Sequence, residues 1–327
     1  MALEVQDIKT LYQNNNLLMK DPLNIVFMGT PEFSVPILES INSNYNVLAV
    51  VTVPDKPQGR GRHEIPSPVK IKAVELGLPV LQPEKLKDED FVQTIKDLNP
   101  DIIVVVAFRI LPREVFTSAK IGTFNIHSSI LPKFRGAAPI NWAIIKGEKT
   151  TGLTTFLIDD KVDTGNVLLR DEFEIPEGFT AGDLHDFMMP RAVEIGMNTI
   201  ELLKSGDYTP LKQDDSIATP APKIFPENGI INWTLPAQEV IQMIHGFSPI
   251  PGARTRFNNQ LLKIYRVRLN EEILVESGHF LINKSGFFAG CSDGAIQIME
   301  FQPEGKKAIS FKEFINGYRG AASGMFE

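Results

Sequence analysis

Asn125 and His127 stand two residues apart in FNIHSSILPKFRGAAPI, residues 124–140, where an apolar strand runs into two prolines and an Arg-Gly turn. Side chains alternate along a strand, so the amide and the imidazole share one face while Phe124 and Ile126 take the other. An imidazole donates a hydrogen bond or moves a proton near neutral pH, and an amide NH2 stabilises an oxyanion. A lone histidine is more often structural. Here the exit through SSILP and RGAAP restricts the backbone and would hold the pair in one geometry, which weights the reading towards chemistry.

A histidine that handles charge needs a carboxylate to orient it. LIDDKVDTGNVLL, residues 157–169, supplies Asp163 before a turn-forming Thr-Gly, with Asp159 and Asp160 as rivals in the same loop. Spacing does not choose among the three. With a single cysteine, Cys291, and five histidines, none at ligand spacing, no internal disulfide can form and no metal site is expected.

The elements that must carry these groups are legible. NIVFM, NVLAVVT and DIIVVV (24–28, 46–52, 101–106) are continuous β-branched runs, as in strands buried on both faces of a parallel sheet. Helical stretches lie between them, SPVKIKAVELG with Gly77 as its stop and DEDFVQTIKDLN before Pro100. This alternation predicts an α/β domain with a doubly wound, mostly parallel sheet, whose ligand lies beyond the strands' carboxyl ends. TTGLTTFLI and VLLRDEFEI (150–158, 167–175) extend the sheet antiparallel, and a long helix follows over 181–204, with Thr180 and Asp183 forming a capping box. Residues 205–229, with Gly206 and four prolines, read as a linker. Beyond it come one helix and five short alternating strands, the last two joined by a tight turn at Asp293-Gly294, which predicts a C-terminal OB-like β-barrel. Ser310 and Glu313 form a second capping box. The expected domains are 22–207 and 208–327, after a leader or tag over 1–21.

A formal charge of −7 argues against indiscriminate nucleic-acid binding. It is unevenly spread, with 19 Lys and Arg against 25 Asp and Glu over 22–210, and 12 against 12 over 211–327. ARTRFNNQLLKIYRVR, 253–268, carries five cations and no acid on one expected hairpin. Alternation puts Arg254 with Arg256, and separately Arg266 with Arg268, on shared faces. No apolar run approaches the ~18 residues of a membrane span, and the N-terminus lacks a signal-peptide layout, so a cytoplasmic location and no membrane partner are expected.

NIHSSILPKFRGAAPI followed by VDTGNVLL resembles the folate-dependent formyltransferases. Three further blocks carry the likeness in the same order, FMGTPEFSVPIL (27–38), PDKPQGRGRHEIPSPVK (54–70) and KIFPENGIINW (223–233), so it runs from about Asn24 to the C-terminus. FMGTPEFS also lacks the G-x-G-x-x-G of a dinucleotide site, which excludes the obvious α/β rival.

The resemblance implies catalytic roles for Asn125, His127 and Asp163, with 10-formyltetrahydrofolate as co-substrate and direct acyl transfer without a covalent enzyme intermediate. It implies donor contacts at Phe108, Arg109, Ile110 and Leu111, and at Ser128 and Pro132 after the catalytic strand. The loop with Lys56, Arg60 and Arg62, together with the appended domain, resembles members whose acceptor is methionyl initiator tRNA. On that likeness Arg254, Arg256, Lys263, Arg266 and Arg268 become RNA contacts. A monomer is expected. The alternatives are a formyltransferase or deformylating hydrolase with a small-molecule substrate, and a catalytically silent RNA-binding protein.

Overall fold

The structure is a computed structural model that describes residues 21–58 and 63–327. Two compact units emerge, and they are not consecutive segments. The first comprises the described part of Met1–Arg135 with Gly152–Glu172 and Phe187–Pro220; the second comprises Gly136–Thr151, Phe173–Asp186 and Ala221–Glu327.

The first unit is built on a seven-stranded sheet. In chain order the sheet and its helices are β1 (Asp21–Gly29), α1 (Val35–Asn44), β2 (Tyr45–Val51), α2 (Pro68–Glu75), β3 (Val80–Leu81), α3 (Glu89–Leu98), β4 (Ile102–Val106), β5 (Gly122–His127), β6 (Thr150–Leu157), β7 (Val167–Glu174) and α4 (Ala181–Ser205), of which Thr150–Thr151, Phe173–Glu174 and Ala181–Asp186 belong to the second unit. The spatial order is β7-β6-β5-β4-β1-β2-β3. From β3 to β5 all neighbours run parallel, and β6 joins β5 antiparallel. All five residues of β4 are buried, as a strand covered on both faces requires. Ser67 caps α2, its hydroxyl accepting from the Lys70 N–H at 3.1 Å, and Gly77 stands just past the helix end.

Strand order reverses at β1. The chain moves outward through β2 and β3, then returns to lay β4 on the other side of β1. A crevice therefore opens beyond the carboxyl ends of β1 and β4, where open α/β sheets bind ligands. Gly29 closes β1 because a Cβ there would stand 2.9 Å from Ser34 Cβ, and the Ser34 hydroxyl donates to the Val106 carbonyl at 3.0 Å. One glycine thus serves close packing of the turn, which explains why no second one is needed.

The second unit holds a helix, α5 (Ala237–Gly246), and an antiparallel sheet of β8 (Ala253–Phe257), β9 (Gln260–Asn270), β10 (His279–Asn283), β11 (Gly286–Gly290), β12 (Ala295–Pro303), β13 (Ile309–Ser310) and, after α6 (Phe311–Gly317), β14 (Ser323–Met325). The order is β8-β9-β12-β11-β10-β14, with β13 on β12. After β14 the chain reaches β8, where Arg256 and Glu327 exchange backbone hydrogen bonds of 3.0 and 3.1 Å. The last five residues thereby close the OB-like barrel. Its core is aromatic, with Phe257, Phe280, Phe287, Phe301 and Phe326 all buried. The expected tight turn at Asp293-Gly294 is a four-residue loop closed by the Gly290–Ala295 pair. Asp293 instead accepts from the Ala237 N–H at 2.7 Å, capping α5.

Both capping boxes form. Asp183 Oδ2 accepts from the Thr180 N–H at 2.9 Å while the Thr180 hydroxyl accepts from the Asp183 N–H at 3.2 Å, and Ser310 and Glu313 make the equivalent pair. Burial pushes the Asp183 carboxyl up, but hydrogen bonds from Arg266 and Thr180 outweigh it and hold it below its ordinary value. Stability from a depressed carboxylate is present above the ordinary carboxyl range and is lost as pH falls through the folded value. Thr180→Ala is expected to cost about 1 kcal/mol at neutral pH. In thermal melts from pH 7 down to 3, the advantage of wild type over Asp183→Asn should shrink on acidification; an advantage that grew would contradict this account.

Candidate active site

His127 is the last residue of β5, and both flanking strands fix its position. Asn125 pairs with Val105 of β4 and Phe156 of β6, and His127 stands opposite Thr154 of β6. Both side chains therefore leave the sheet on one face, as alternation requires. His127 is 6% exposed, and its Nε2 lies 2.8 Å from the Phe134 carbonyl oxygen. A carbonyl only accepts, so Nε2 carries the proton and donates. The other ring nitrogen, Nδ1, faces Asp163 Oδ2 at 3.9 Å. That separation exceeds a hydrogen bond, while the carboxylate stands ready to balance positive charge on the ring.

The exit after β5 delivers the Phe134 carbonyl. Phe134 sits in the left-handed region at φ 60°, and its N–H donates to Thr219 Oγ1 at 2.8 Å. Arg135 follows, its N–H donating to the Thr219 carbonyl at 2.9 Å. The proline and Arg-Gly stretch thus turns the chain back on itself until a carbonyl meets the imidazole. Among the described residues the Asn125 amide makes no hydrogen bond inside the protein, and the side chain is half-buried. An NH2 so placed retains its donors for a substrate oxygen.

Of the three acids in the 157–169 loop, the structure brings Asp163 to His127. Asp159 is used locally, accepting from the Lys161 N–H at 3.1 Å and the Thr164 hydroxyl at 2.7 Å, and Asp160 pairs with Arg113 at 2.6 Å. Asp163 is a non-glycine residue at φ 55°, a region Asp tolerates better than most and one found repeatedly at functional sites. Beside it, Gly165 admits no side chain, because a Cβ would overlap the Leu157 carbonyl.

Residues 107–112 follow β4 at the crevice, beginning with Ala107 at φ 47°. Arg109 donates to the carbonyls of Pro83 at 2.8 Å and Glu84 at 3.1 Å. Burial pushes its guanidinium below the usual value, with the Glu84 charge opposing. Its Nε is buried with no hydrogen-bond partner among the described residues, so an acceptor is missing there. Ile110 is 74% exposed, whereas the Leu111 side chain packs in the core with Phe108 against it, leaving Leu111 only its main chain for a ligand. Ser128 is half-buried and Pro132 is buried.

In the second unit the cations of 253–268 lie on the outside of the barrel, and Arg254 and Arg256 share a face as expected. Arg254 pairs directly across from Lys263. A bulge around Arg266 breaks the two-residue period, so Leu262 and Ile264 point inward before it and Val267 after it. Lys263 and Arg268 consequently share the outer face with Arg254 and Arg256. Arg266 is tied to Asp183 at 2.6 Å, with Glu300 at 3.6 Å, and Arg268 donates to Gln297 at 2.8 Å. Arg254 Nε is buried without a hydrogen-bond partner among the described residues, beside a like charge. Lys56 is exposed on a two-stranded ribbon, Lys56–Gln58 with His63–Ile65. Arg60 and Arg62 lie outside the described residues.

Sequence reasoning missed Gln213. It lies in the expected linker, yet its side chain is buried between the Asp163 loop and Arg135. A single glutamine among prolines and acids has no periodic or motif signal, and only its burial reveals it.

Among the described residues, no group of three or more His, Cys, Asp or Glu could hold a metal ion, and no helix is long and apolar enough to cross a membrane. The formyl transferase family model matches residues 23–196, and that of the formyl transferase C-terminal domain matches 223–319. A methionyl-tRNA formyltransferase of Caldanaerobacter subterraneus subsp. tengcongensis is 44% identical over 300 residues, covering 90% of this chain and 97% of the relative. One of Geobacter metallireducens is 42% identical, covering 91% and 96%. Among solved structures, a methionyl-tRNA formyltransferase from Clostridium thermocellum superposes with a TM-score of 0.54 at 20% identity, covering 77% of this chain and 95% of that one. HypX from Aquifex aeolicus in complex with tetrahydrofolic acid superposes at 0.64 and 18%, covering 90% and 47%. With both domain models and near full-length relatives in agreement, the chain belongs to the formyl transferase family.

Proposed function

We propose that this chain transfers the formyl group of 10-formyltetrahydrofolate to the α-amine of methionyl initiator tRNA. The observation that carries the chemistry is the fixed imidazole of His127, with Nε2–H committed to the Phe134 carbonyl and Nδ1 turned to the Asp163 carboxylate. The acceptor rests on relatives at 42–44% identity that bear that activity's name over nearly their whole length. A folate donor is supported by the tetrahydrofolic acid complex of a structural neighbour and by the orphaned Arg109 Nε at the crevice, which lacks an acceptor. Phe108, Ile110, the Leu111 main chain, Ser128 and Pro132 complete the proposed donor site.

In this reading the amine nitrogen attacks the formyl carbon and a C–N bond forms as the carbonyl electrons move to oxygen. The Asn125 NH2 and an N–H at His127 Nδ1 donate to the developing oxyanion. Because Nε2–H stays with Phe134, Nδ1 donates only as part of an imidazolium, whose charge the Asp163 carboxylate balances. Collapse breaks the bond to the folate N10, and the proton given up by the amine ends on that nitrogen. Formyl-methionyl-tRNA and tetrahydrofolate leave. A cytoplasmic monomer is part of the same proposal.

The outer barrel face of Arg254, Arg256, Lys263 and Arg268 is one proposed RNA contact, and Lys56, Arg60 and Arg62 are proposed separately as another. Arg266, held by Asp183, contributes charge more than a free hydrogen-bonding fork. Arg254→Ala and Lys263→Ala should each weaken tRNA binding alike for any sequence and lower the slope of log K against log salt by about 1. Titrations at several salt concentrations test this. An unchanged slope in both variants would remove the barrel face from the interface.

A further inference from the structure

The segment after α4 reads in sequence as linker, but Gln213 within it is 6% exposed and all its polar capacity is used. Its Nε2 donates to the Asp163 carbonyl at 2.9 Å and to the Gly165 carbonyl at 2.8 Å, spending both amide hydrogens. Its Oε1 accepts from Arg135 Nε at 3.1 Å and Nη2 at 2.8 Å. Arg135 is braced in turn by Asp215 at 2.8 Å and directly follows Phe134, whose carbonyl holds His127 Nε2. One buried amide thus joins the two supports of the imidazole, the carbonyl on its Nε2 side and the acid on its Nδ1 side. The acid stands at φ 55°, a conformation that persists only where its surroundings impose it, and Gln213 grips the backbone at Asp163 itself and two residues on.

We propose that Gln213 is a positioning residue for acyl transfer: it sets Asp163 against His127 through the backbone of the acid, and Arg135 fixes Gln213. This inference rests on the formyl-transfer reading and adds to it a residue that touches no substrate. Gln213→Glu is the sharpest probe. The carboxylate keeps the size of the side chain and its partnership with Arg135, so the segment stays docked, but it loses both N–H donors and turns an anion towards two carbonyl oxygens.

The expected result is a kcat lower by about 10- to 100-fold with the KM for the folate donor unchanged. In an Asp163→Asn background the same change should cost little more, because the two residues act through one element. Independently of turnover, the ring NMR signals of His127 should move in Gln213→Glu in the same sense as in Asp163→Asn. Wild-type kcat together with unmoved ring signals, or fully additive losses, would overturn the proposal. Should Gln213→Glu fail to fold, Arg135→Lys keeps the charge and removes the guanidinium fork; the same loss of kcat and the same ring shift are expected, and their absence would overturn it. A wild type without any formyl transfer would sink the functional reading, while the ring signals would still decide whether Gln213 holds Asp163.

Discussion

Formyl transfer by Asn125→Ala and by His127→Ala should fall to about one part in a hundred or a thousand of wild type, about 3 kcal/mol or more of lost transition-state stabilisation. The two variants separate catalysis from folding. Asn125 is half-buried and its amide has no hydrogen-bond partner among the described residues, so truncation orphans nothing and the unfolding temperature should hold. His127 is buried, and its removal leaves the Phe134 carbonyl without its donor, a loss of about 1–3 kcal/mol in stability. Rate and thermal unfolding measured on the same samples check both statements. A pair of variants that lost stability in equal measure and rate in neither would assign the two residues to structure.

The second large effect belongs to the barrel. Phe326→Ala should destabilise the second unit by about 3–5 kcal/mol. Phe326 is 5% exposed, stacks on Trp233 with ring centroids 4.6 Å apart, and meets Phe280 at 5.5 Å and Phe287 at 6.1 Å. It also anchors the segment that pairs with β10 through β14 and with β8 through Glu327. Truncation therefore opens a cavity and loosens the closing strand together. Denaturant unfolding followed by tryptophan fluorescence would report on Trp233; a loss below about 1 kcal/mol would mean that the barrel closes without this ring.

That closing strand was among the features not legible in the sequence. SGM within AASGMFE has no alternation and little β-propensity, and it becomes a strand because two barrel edges need a partner. Gln213 was hidden for a related reason: its role comes from tertiary hydrogen bonds made by a stretch that lacks regular structure. The bulge at Arg266 escaped notice because a shift in register leaves the composition of a strand unchanged, yet it decides which cations share a face. Legible features were those that local chemistry dictates. Continuous β-branched runs gave β1, β2 and β4, and Thr180 with Asp183 and Ser310 with Glu313 gave helix starts. The polar pair on β5 followed from strand alternation alone. Asp163 could be preferred over Asp159 and Asp160 only by likeness to a family until the fold brought it to His127 and gave the other two local partners.

The measurement that bears most directly on the account is transfer of a labelled formyl group from 10-formyltetrahydrofolate by the wild-type chain, with methionyl initiator tRNA and deacylated tRNA as parallel acceptors. The account predicts label on the methionyl-tRNA in step with tetrahydrofolate release, none on the deacylated tRNA, and no free formate. Formate release with either acceptor, or label only on a small amine supplied in place of tRNA, would contradict it.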